Sequence, residues 1–312
     1  MRSLGPSRFR SGFVPTGPSA TGTLMPLKPQ RAIRTWPLLL PSVAVLGVWA
    51  IVPLVMTLWY SFQNYNLQTP PATFGGFSNY YYLLTDPDLF GIVWNSLVLV
   101  FVPIAITLFF GTLFALLYDG PFPGRSTARL LVITPFFVMP AVSALVWKNL
   151  MLNPVWGLVA WLFKLVDLQP VDWFASYPMA AIIIIVSWSW IPFAMLIILT
   201  SLQSLDREQV EAARMDGAKS VGIFYYVTLP HLYRPISVII MLETIFFLSI
   251  YAEIYVTTVG GPGTATTNIP FYIFSRALLS FDVGLASAGG IFAILIANIV
   301  AFFFVRAIAR QL

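Results

Sequence analysis

The sequence has 312 residues, 58% of them apolar and 9% charged, with a formal net charge of +5. A soluble protein carries about 25% charged residues, so this chain cannot cover a water-facing surface, and its composition indicates an all-α polytopic membrane protein. The absence of cysteine, a single histidine (His231) and four lysines (Lys28, Lys148, Lys164, Lys219) outside any Gly-Lys-Ser/Thr loop exclude disulfides, thiolate and His-pair metal centres, cysteine nucleophiles and a phosphate-cradling loop.

Residues 1–35 form a basic tail rich in Pro, Ser, Gly and Arg. That composition predicts disorder, and the tail is too long for the charged start of a signal peptide. Met25 is a second candidate start. A spanning helix needs about 20 mostly apolar residues. Six stretches bounded by charges or turns meet that need, at about 36–62, 89–118, 130–147, 179–202, 235–259 and 286–305. Pro53, Pro103, Pro135, Pro140 and Pro192 lie inside them and are tolerated where neighbouring helices re-satisfy the freed backbone. Asp86-Pro87-Asp88, ahead of the second stretch, reads as a turn with a helix cap. Residues 149–163 are apolar but short and hold Asn153-Pro154. They fit a re-entrant or interfacial helix better than a seventh span.

The cationic residues set an orientation. Arg2, Arg8, Arg10, Lys28, Arg31, Arg34, Arg125, Arg129, Arg207, Arg214, Lys219, Arg234, Arg306 and Arg310 fall on one side of a six-span arrangement. Only Lys148, Lys164 and Arg276 fall on the other. The positive-inside rule then places both termini in the cytoplasm. Membrane orientation accounts for the positive charge without a nucleic-acid partner.

Residues 204–234, between the fourth and fifth spans, are charged and helix-prone. Asp206 can cap a helix with Gln209 at the capping-box position, and Gly217 can end it in a left-handed turn. Ser220 can cap a second short helix through Val227, and Pro230 and Pro235 are expected to break the chain before the fifth span. The letters read Glu211-Ala212-Ala213-x-x-x-Gly217, then twelve residues, then Pro230 preceded by Leu229. This pattern, with Asp216 before the glycine, resembles the EAA loop of the permease subunits of ABC importers.

Other landmarks extend the resemblance over about residues 36–310. They are Ser61-Phe62, Gly76-Phe77-x-Asn79-Tyr80, Trp188-x-x-x-Pro192 and Gly260-Gly261-Pro262. Together they look like the carbohydrate-uptake subfamily, in particular the larger permease half of the maltose importer. Residues 260–268 and 280–290 look most like sugar-alcohol (mannitol or sorbitol) importers. The resemblance implies a type I ABC importer permease fold in a bacterial inner (plasma) membrane. It also implies a second permease subunit, a dimer of ATP-binding subunits that hold ATP and magnesium, and an extracytoplasmic substrate-binding protein. This chain would then be a non-catalytic subunit without a cofactor of its own. Glu211, Ala212, Ala213, Asp216 and Gly217 would seat in the ATPase subunits and transmit their motion. By register with the maltose importer, Ser189, Trp190, Phe193 and Ser249 fall where ligand-lining residues lie.

Chemistry adds Tyr251 and Glu253 to that candidate pathway, because rings stack on sugars and carboxylates accept their hydroxyls. With 16% aromatic residues, most rings in the spans must instead pack or face lipid. Glu243 and Glu253 are ionisable residues inside a span, which is costly and marks functional candidates. At about 100° per residue they lie roughly 80° apart around one helix. Glu253 is expected near the outer end facing water or substrate, and Glu243 against a neighbouring helix. An ion-coupled secondary transporter using these two carboxylates is the alternative from another class, but such transporters show internal repeats, and none is visible here.

Overall fold

A computed structural model describes residues 36–309; the tail 1–35 and Arg310 lie outside the described residues. The chain divides into two units between Trp49 and Ala50. The division falls inside helix α1 (Trp36–Ser61).

A small antiparallel pair follows, β1 (Gln63–Asn64) with β2 (Thr73–Phe74), in the register Gln63 to Phe74 and Asn64 to Thr73. The rest is helical: α2 (Ser78–Leu84), α3 (Leu89–Asp119), α4 (Arg125–Ile133), α5 (Pro140–Val146), α6 (Leu158–Leu165), α7 (Trp173–Ser176), α8 (Pro178–Gln203), α9 (Arg207–Met215), α10 (Ser220–Ile223), α11 (Leu229–Phe247), α12 (Ala252–Thr257), α13 (Ile269–Phe274) and α14 (Val283–Ala309). Among the described residues, four stretches are by length and composition long and apolar enough to cross a membrane: Leu39–Ser61, Leu89–Asp119, Pro178–Gln203 and Val283–Phe303.

Two expected spans are broken. The third consists of α4 with a 3-10 turn at Thr134–Phe137, then α5 with a π-turn at Trp147–Met151. Its halves meet at 106°. The cause is Pro140, which disfavours the α region for the residue before it; Met139 accordingly takes φ −58°, ψ 138°. The fifth stops at Phe247 and restarts at Ala252. The chain ahead of it, by contrast, is not interrupted. The N-cap of α10 is Lys219 rather than Ser220, and the helix runs through a π-turn at Phe224–Thr228 directly into α11. Pro230 sits in the first turn of α11, and Pro235 lies within it. The first turn needs no N–H from its residues, and π-turns absorb a local shift of the ladder inside a continuous helix.

Between membrane helices the hydrophobic drive is weak, and close packing of small residues takes its place. Helices α3 and α8 show this at Gly111, where a Cβ would stand 2.7 Å from the Ala194 Cβ and 3.0 Å from the Met195 nitrogen. Leu99, Val100, Ile104, Ile182, Val186, Phe247 and Ile254 form one buried cluster. Ala115, Ala194, Met195, Ile198, Leu232 and Ile239 form a second. The two clusters seat α3 against α8 and α11.

The bundle has two distinct ends. At one, Arg125 Nε and Arg129 Nη2 both donate to the Tyr118 carbonyl, at 2.8 and 2.7 Å, closing the C-terminus of α3. Asp119, Gln203, Arg207, Glu211 and Arg214 line one cleft of about 470 Å³ there. At the other, Arg276 pairs with Asp86 at 3.8 Å, and the Gly284 N–H donates to the Tyr65 carbonyl at 3.0 Å. The Asp86 turn forms as expected, with its Oδ1 accepting the Asp88 N–H at 2.9 Å. Asp88 occupies the N-cap of α3 without a side-chain cap bond.

Candidate functional site

The segment from Asp206 to Gly217 forms a capped, exposed helix. The Asp206 carboxylate accepts the Glu208 N–H at 2.9 Å and so starts α9. No residue of α9 is buried. At its C-terminus the Ala218 N–H donates to the Ala213 carbonyl and the Gly217 N–H to the Arg214 carbonyl, both at 3.0 Å. This is the Schellman pairing, and it requires a left-handed residue at the second position. Gly217 supplies it with φ +81°, and a Cβ there would meet nothing within 4 Å; the demand is therefore conformational, not spatial. Glu211, Ala212 and Asp216 are exposed and Ala213 is half-buried. Among the described residues Glu211 has no ion-pair partner. One turn on in α9, Met215 is 88% exposed, and Tyr226 in the π-turn after α10 is 86% exposed. The arrangement is a knob with a free carboxylate and uncovered apolar surface, at the end of the bundle where α3 and α8 terminate.

The six candidate pathway residues have separate surroundings in this chain. Trp190 and Phe193 lie together in an aromatic group. The Trp190 ring is 4.8 Å from Phe246, 5.4 Å from Phe247 and 5.5 Å from both Phe136 and Phe193. Phe136 stacks on Phe193 at 5.6 Å. Phe246 is exposed, as are the neighbouring Phe137 and Met139, so this group presents an aromatic surface. Ser189 is committed elsewhere. It donates to the Ile185 carbonyl at 3.0 Å, and Ser143 stands 3.1 Å away as its donor. That contact joins α5 to α8. Ser249 is exposed, donates to the Ile245 carbonyl at 3.2 Å and lines a separate apolar groove of about 560 Å³ with residues of α11, α13 and α14. Tyr251 is exposed with its ring 5.2 Å from Phe274. Glu253 is 8% exposed in the first turn of α12. It does not face water in this chain, because the break at 248–251 turns α12 inward against α5.

The same break separates the two acidic residues. Glu243 is fully buried in α11, with its Oε2 2.6 Å from the Thr107 hydroxyl of α3, the neighbouring-helix contact that its position suggested. The expected angle of roughly 80° presumed one continuous helix, and the structure does not contain one.

Two polar devices hold the broken fifth span, and neither stands out in the sequence. Lys148 Nζ donates to the Thr257 and Val256 carbonyls at 2.6 and 3.2 Å, closing the C-terminal end of α12. Asn268 Nδ2 donates to the Ile250 carbonyl at 2.7 Å, inside the break, while its Oδ1 caps α13 through the Phe271 N–H at 2.9 Å. The Gly-Gly-Pro turn joins them. Gly260 has φ +85°, and a Cβ there would lie 2.6 Å from Thr267 Oγ1 and 2.8 Å from the Phe271 ring, so only glycine fits. The sequence shows a lysine at a span end and an asparagine in a loop; the carbonyls that need them exist only once the helix has broken.

Comparison with known proteins agrees with this geometry. Residues 124–312 match the family described as binding-protein-dependent transport system inner membrane component. The trehalose/maltose transport system permease protein MalF of Thermococcus litoralis is 33% identical over 264 residues, which cover 84% of this chain and 89% of that protein. The sulfoquinovosyl glycerol transport system permease protein SmoG of Agrobacterium fabrum is 31% identical over 254 residues, covering 80% and 82%. Among solved structures, a chain of the bacterial alginate ABC transporter in complex with an alginate pentasaccharide-bound periplasmic protein has the same fold. It superposes with a TM-score of 0.72 at 22% identity, over 87% of this chain and 93% of that one. The protein is a multi-pass inner-membrane chain, and it belongs to the ABC transporter permease family of binding-protein-dependent transport system inner membrane components.

Proposed function

We propose that this chain is the permease subunit of an ATP-driven importer for a sugar or sugar alcohol, taking its ligand from an extracytoplasmic binding protein. The observation that carries the reading is helix α9. It is an exposed knob, ended by the Schellman turn at Gly217, at the end of an apolar bundle whose sequence has no nucleotide-binding loop. A carboxylate without a partner and exposed Met215 fit a surface completed by another protein. Separate ATP-binding subunits would seat on Glu211, Ala212, Ala213, Asp216 and Gly217, and a second permease subunit would complete the translocation path. The relatives named above act on trehalose/maltose and sulfoquinovosyl glycerol, which supports a carbohydrate-like ligand here. The membrane arrangement proposed with it has six crossings. Four are the long helices, the third in chain order is the bent pair around Val138-Met139, and the fifth is α11 with α12. Both termini are inside.

The aromatic surface around Trp190 is the proposed ligand wall, with Phe193 and Phe246 beside it. Ser249, Tyr251 and Glu253 would reach the path only through the second permease or a change in the break. An ion-coupled transporter finds less support. Glu243 and Glu253 sit on different helices, each enclosed by its own neighbours.

The test is reconstitution with the ATPase subunits. Glu211→Lys should lower binding-protein-stimulated ATP hydrolysis about tenfold or more, since it reverses the charge that a basic partner would meet, while membrane insertion stays intact. Stimulated hydrolysis at the native rate would overturn the coupling role of α9.

A further inference from the structure

Near the end of the bundle that carries α9, a second pocket lies beside the coupling knob. It is bounded by the last turn of α8, the π-turn at Phe224–Thr228 and the first turns of α11, and has a volume of about 860 Å³. One wall is locked. His231 Nε2 lies 2.9 Å from the Ser201 carbonyl; a carbonyl only accepts, so Nε2 carries the proton. The Ser204 hydroxyl donates to the same carbonyl at 2.8 Å. The histidine bond fastens the start of α11 to the end of α8, and the serine bond closes the last turn of α8 itself.

The rest of the polar lining has no protein partner among the described residues. Arg234, Tyr225 and Tyr233 all line the pocket. Arg234 is exposed and, among the described residues, makes no ion pair. The same holds for hydrogen bonds of the Tyr225 and Tyr233 hydroxyls. No Asp or Glu lines the pocket. The contrast with its neighbours is informative. Arg125 and Arg129, near the same end, spend their guanidinium groups on the Tyr118 carbonyl. Arg207, Arg214 and Lys219 belong to the projecting loop, whereas Arg234 stands in the second turn of a helix that enters the bundle.

We propose that this pocket binds a phosphate group, and that the phosphate is the headgroup of an anionic lipid. A guanidinium fork matches two phosphate oxygens at once, and two phenol hydroxyls complete a set of donors that no acidic side chain opposes. Tyrosines at this depth are what a membrane–water interface selects. Basic pockets between membrane helices on the inner side bind phosphorylated headgroups there. The proposal rests on α8 and α11 being membrane helices with this end inside, and not on the importer reading.

The purified complex in detergent, titrated with short-chain phosphatidylglycerol, phosphatidylcholine of the same chain length, or inorganic phosphate, tests it. The readout is the melting midpoint from tryptophan fluorescence, together with lipid retention in native mass spectrometry. Phosphatidylglycerol should raise the midpoint saturably, and phosphatidylcholine, whose choline cation offsets the charge of the same phosphate, far less. Losing one charge-assisted donor should weaken the lipid roughly tenfold or more in Arg234→Gln, with Arg234→Lys in between and Arg207→Gln unchanged. Should Arg234→Gln fail to fold, the paired Tyr225→Phe and Tyr233→Phe variant should weaken the lipid several-fold. Competition by millimolar phosphate supports the shared chemistry. Phosphate matching the lipid at equal concentration assigns the site to the free ion and overturns the lipid as its source. Equal effects of the two lipids, or native affinity in Arg234→Gln or in the tyrosine pair, overturn the proposal. So does loss of the ATPase subunits from Arg234→Gln with lipid binding unaltered, which would place Arg234 in a protein interface.

Discussion

Lys148 has three N–H donors, and two of them meet the Val256 and Thr257 carbonyls at the end of α12. Carbonyls at a helix C-terminus have no partner within the helix, and a cation there also meets the negative end of the helix dipole. Lys148→Met keeps the apolar stem and removes both bonds. It should destabilise the purified complex by about 1–3 kcal/mol, seen as a lower melting midpoint, with Lys148→Arg largely restoring it. A Met variant melting with the native protein would remove Lys148 from this role. Gly217 and Gly260 form a second residue-scale comparison, since both have positive φ, +81° and +85°. Alanine at Gly217 meets open space and should cost only the backbone strain of about 1–2 kcal/mol. Alanine at Gly260 adds the collision with Thr267 and Phe271 and should lower the midpoint further. Equal losses at the two positions would show that the loop after α12 yields where the Cβ would fall.

At the scale of elements, what was legible in the sequence follows the strength of the local signal. The start of α9 at Asp206 and its end at Gly217 were readable because caps and left-handed turns are local chemistry. The long apolar helices α1, α3, α8 and α14 were readable because composition alone defines them. The breaks were not. Pro103 and Pro192 lie inside helices that stay continuous, yet Pro140 follows a break of 106°, so proline alone does not announce a break. Neighbours decide, by offering or withholding partners for the freed backbone groups. The same break bears on the candidate pathway: Ser249 comes from register with the maltose importer and Glu253 from its chemistry, and the four irregular residues 248–251 turn the chain after Phe247 in a way neither argument contains. Phe246 was missed because a single phenylalanine among 26 carries no signal until Trp190 lies 4.8 Å from it. If that pair forms the ligand wall, Trp190→Ala should reduce uptake while basal ATP hydrolysis and assembly persist. Undiminished uptake would return the cluster to a packing role.

For the whole molecule, the two ends of the bundle carry the argument about sidedness. Residues 119–129, the end of α8 and the helix α9 gather at one end. Asp86, Arg276 and the turn before α14 gather at the other. The bundle thus sorts Arg125, Arg129, Arg207 and Arg214 from Arg276, as the charge count did. Which end faces the cytoplasm is a separate step, taken from the excess of Lys and Arg on one side. The chain has no cysteine, so single cysteines at Thr69, Asp282 and Lys219 can be labelled with an impermeant maleimide in intact cells. Thr69 and Asp282 flank the loops at the Asp86–Arg276 end, since the Leu67 N–H donates to the Phe281 carbonyl at 2.9 Å. Cysteines there should be labelled from outside, and one at Lys219 only after the membrane is opened. Labelling at all three positions would mean that the end carrying α9 is reached from outside. Labelling at Lys219 alone would invert the molecule. Either outcome removes α9 from any cytoplasmic ATPase, since a coupling helix works only on the side where ATP is hydrolysed.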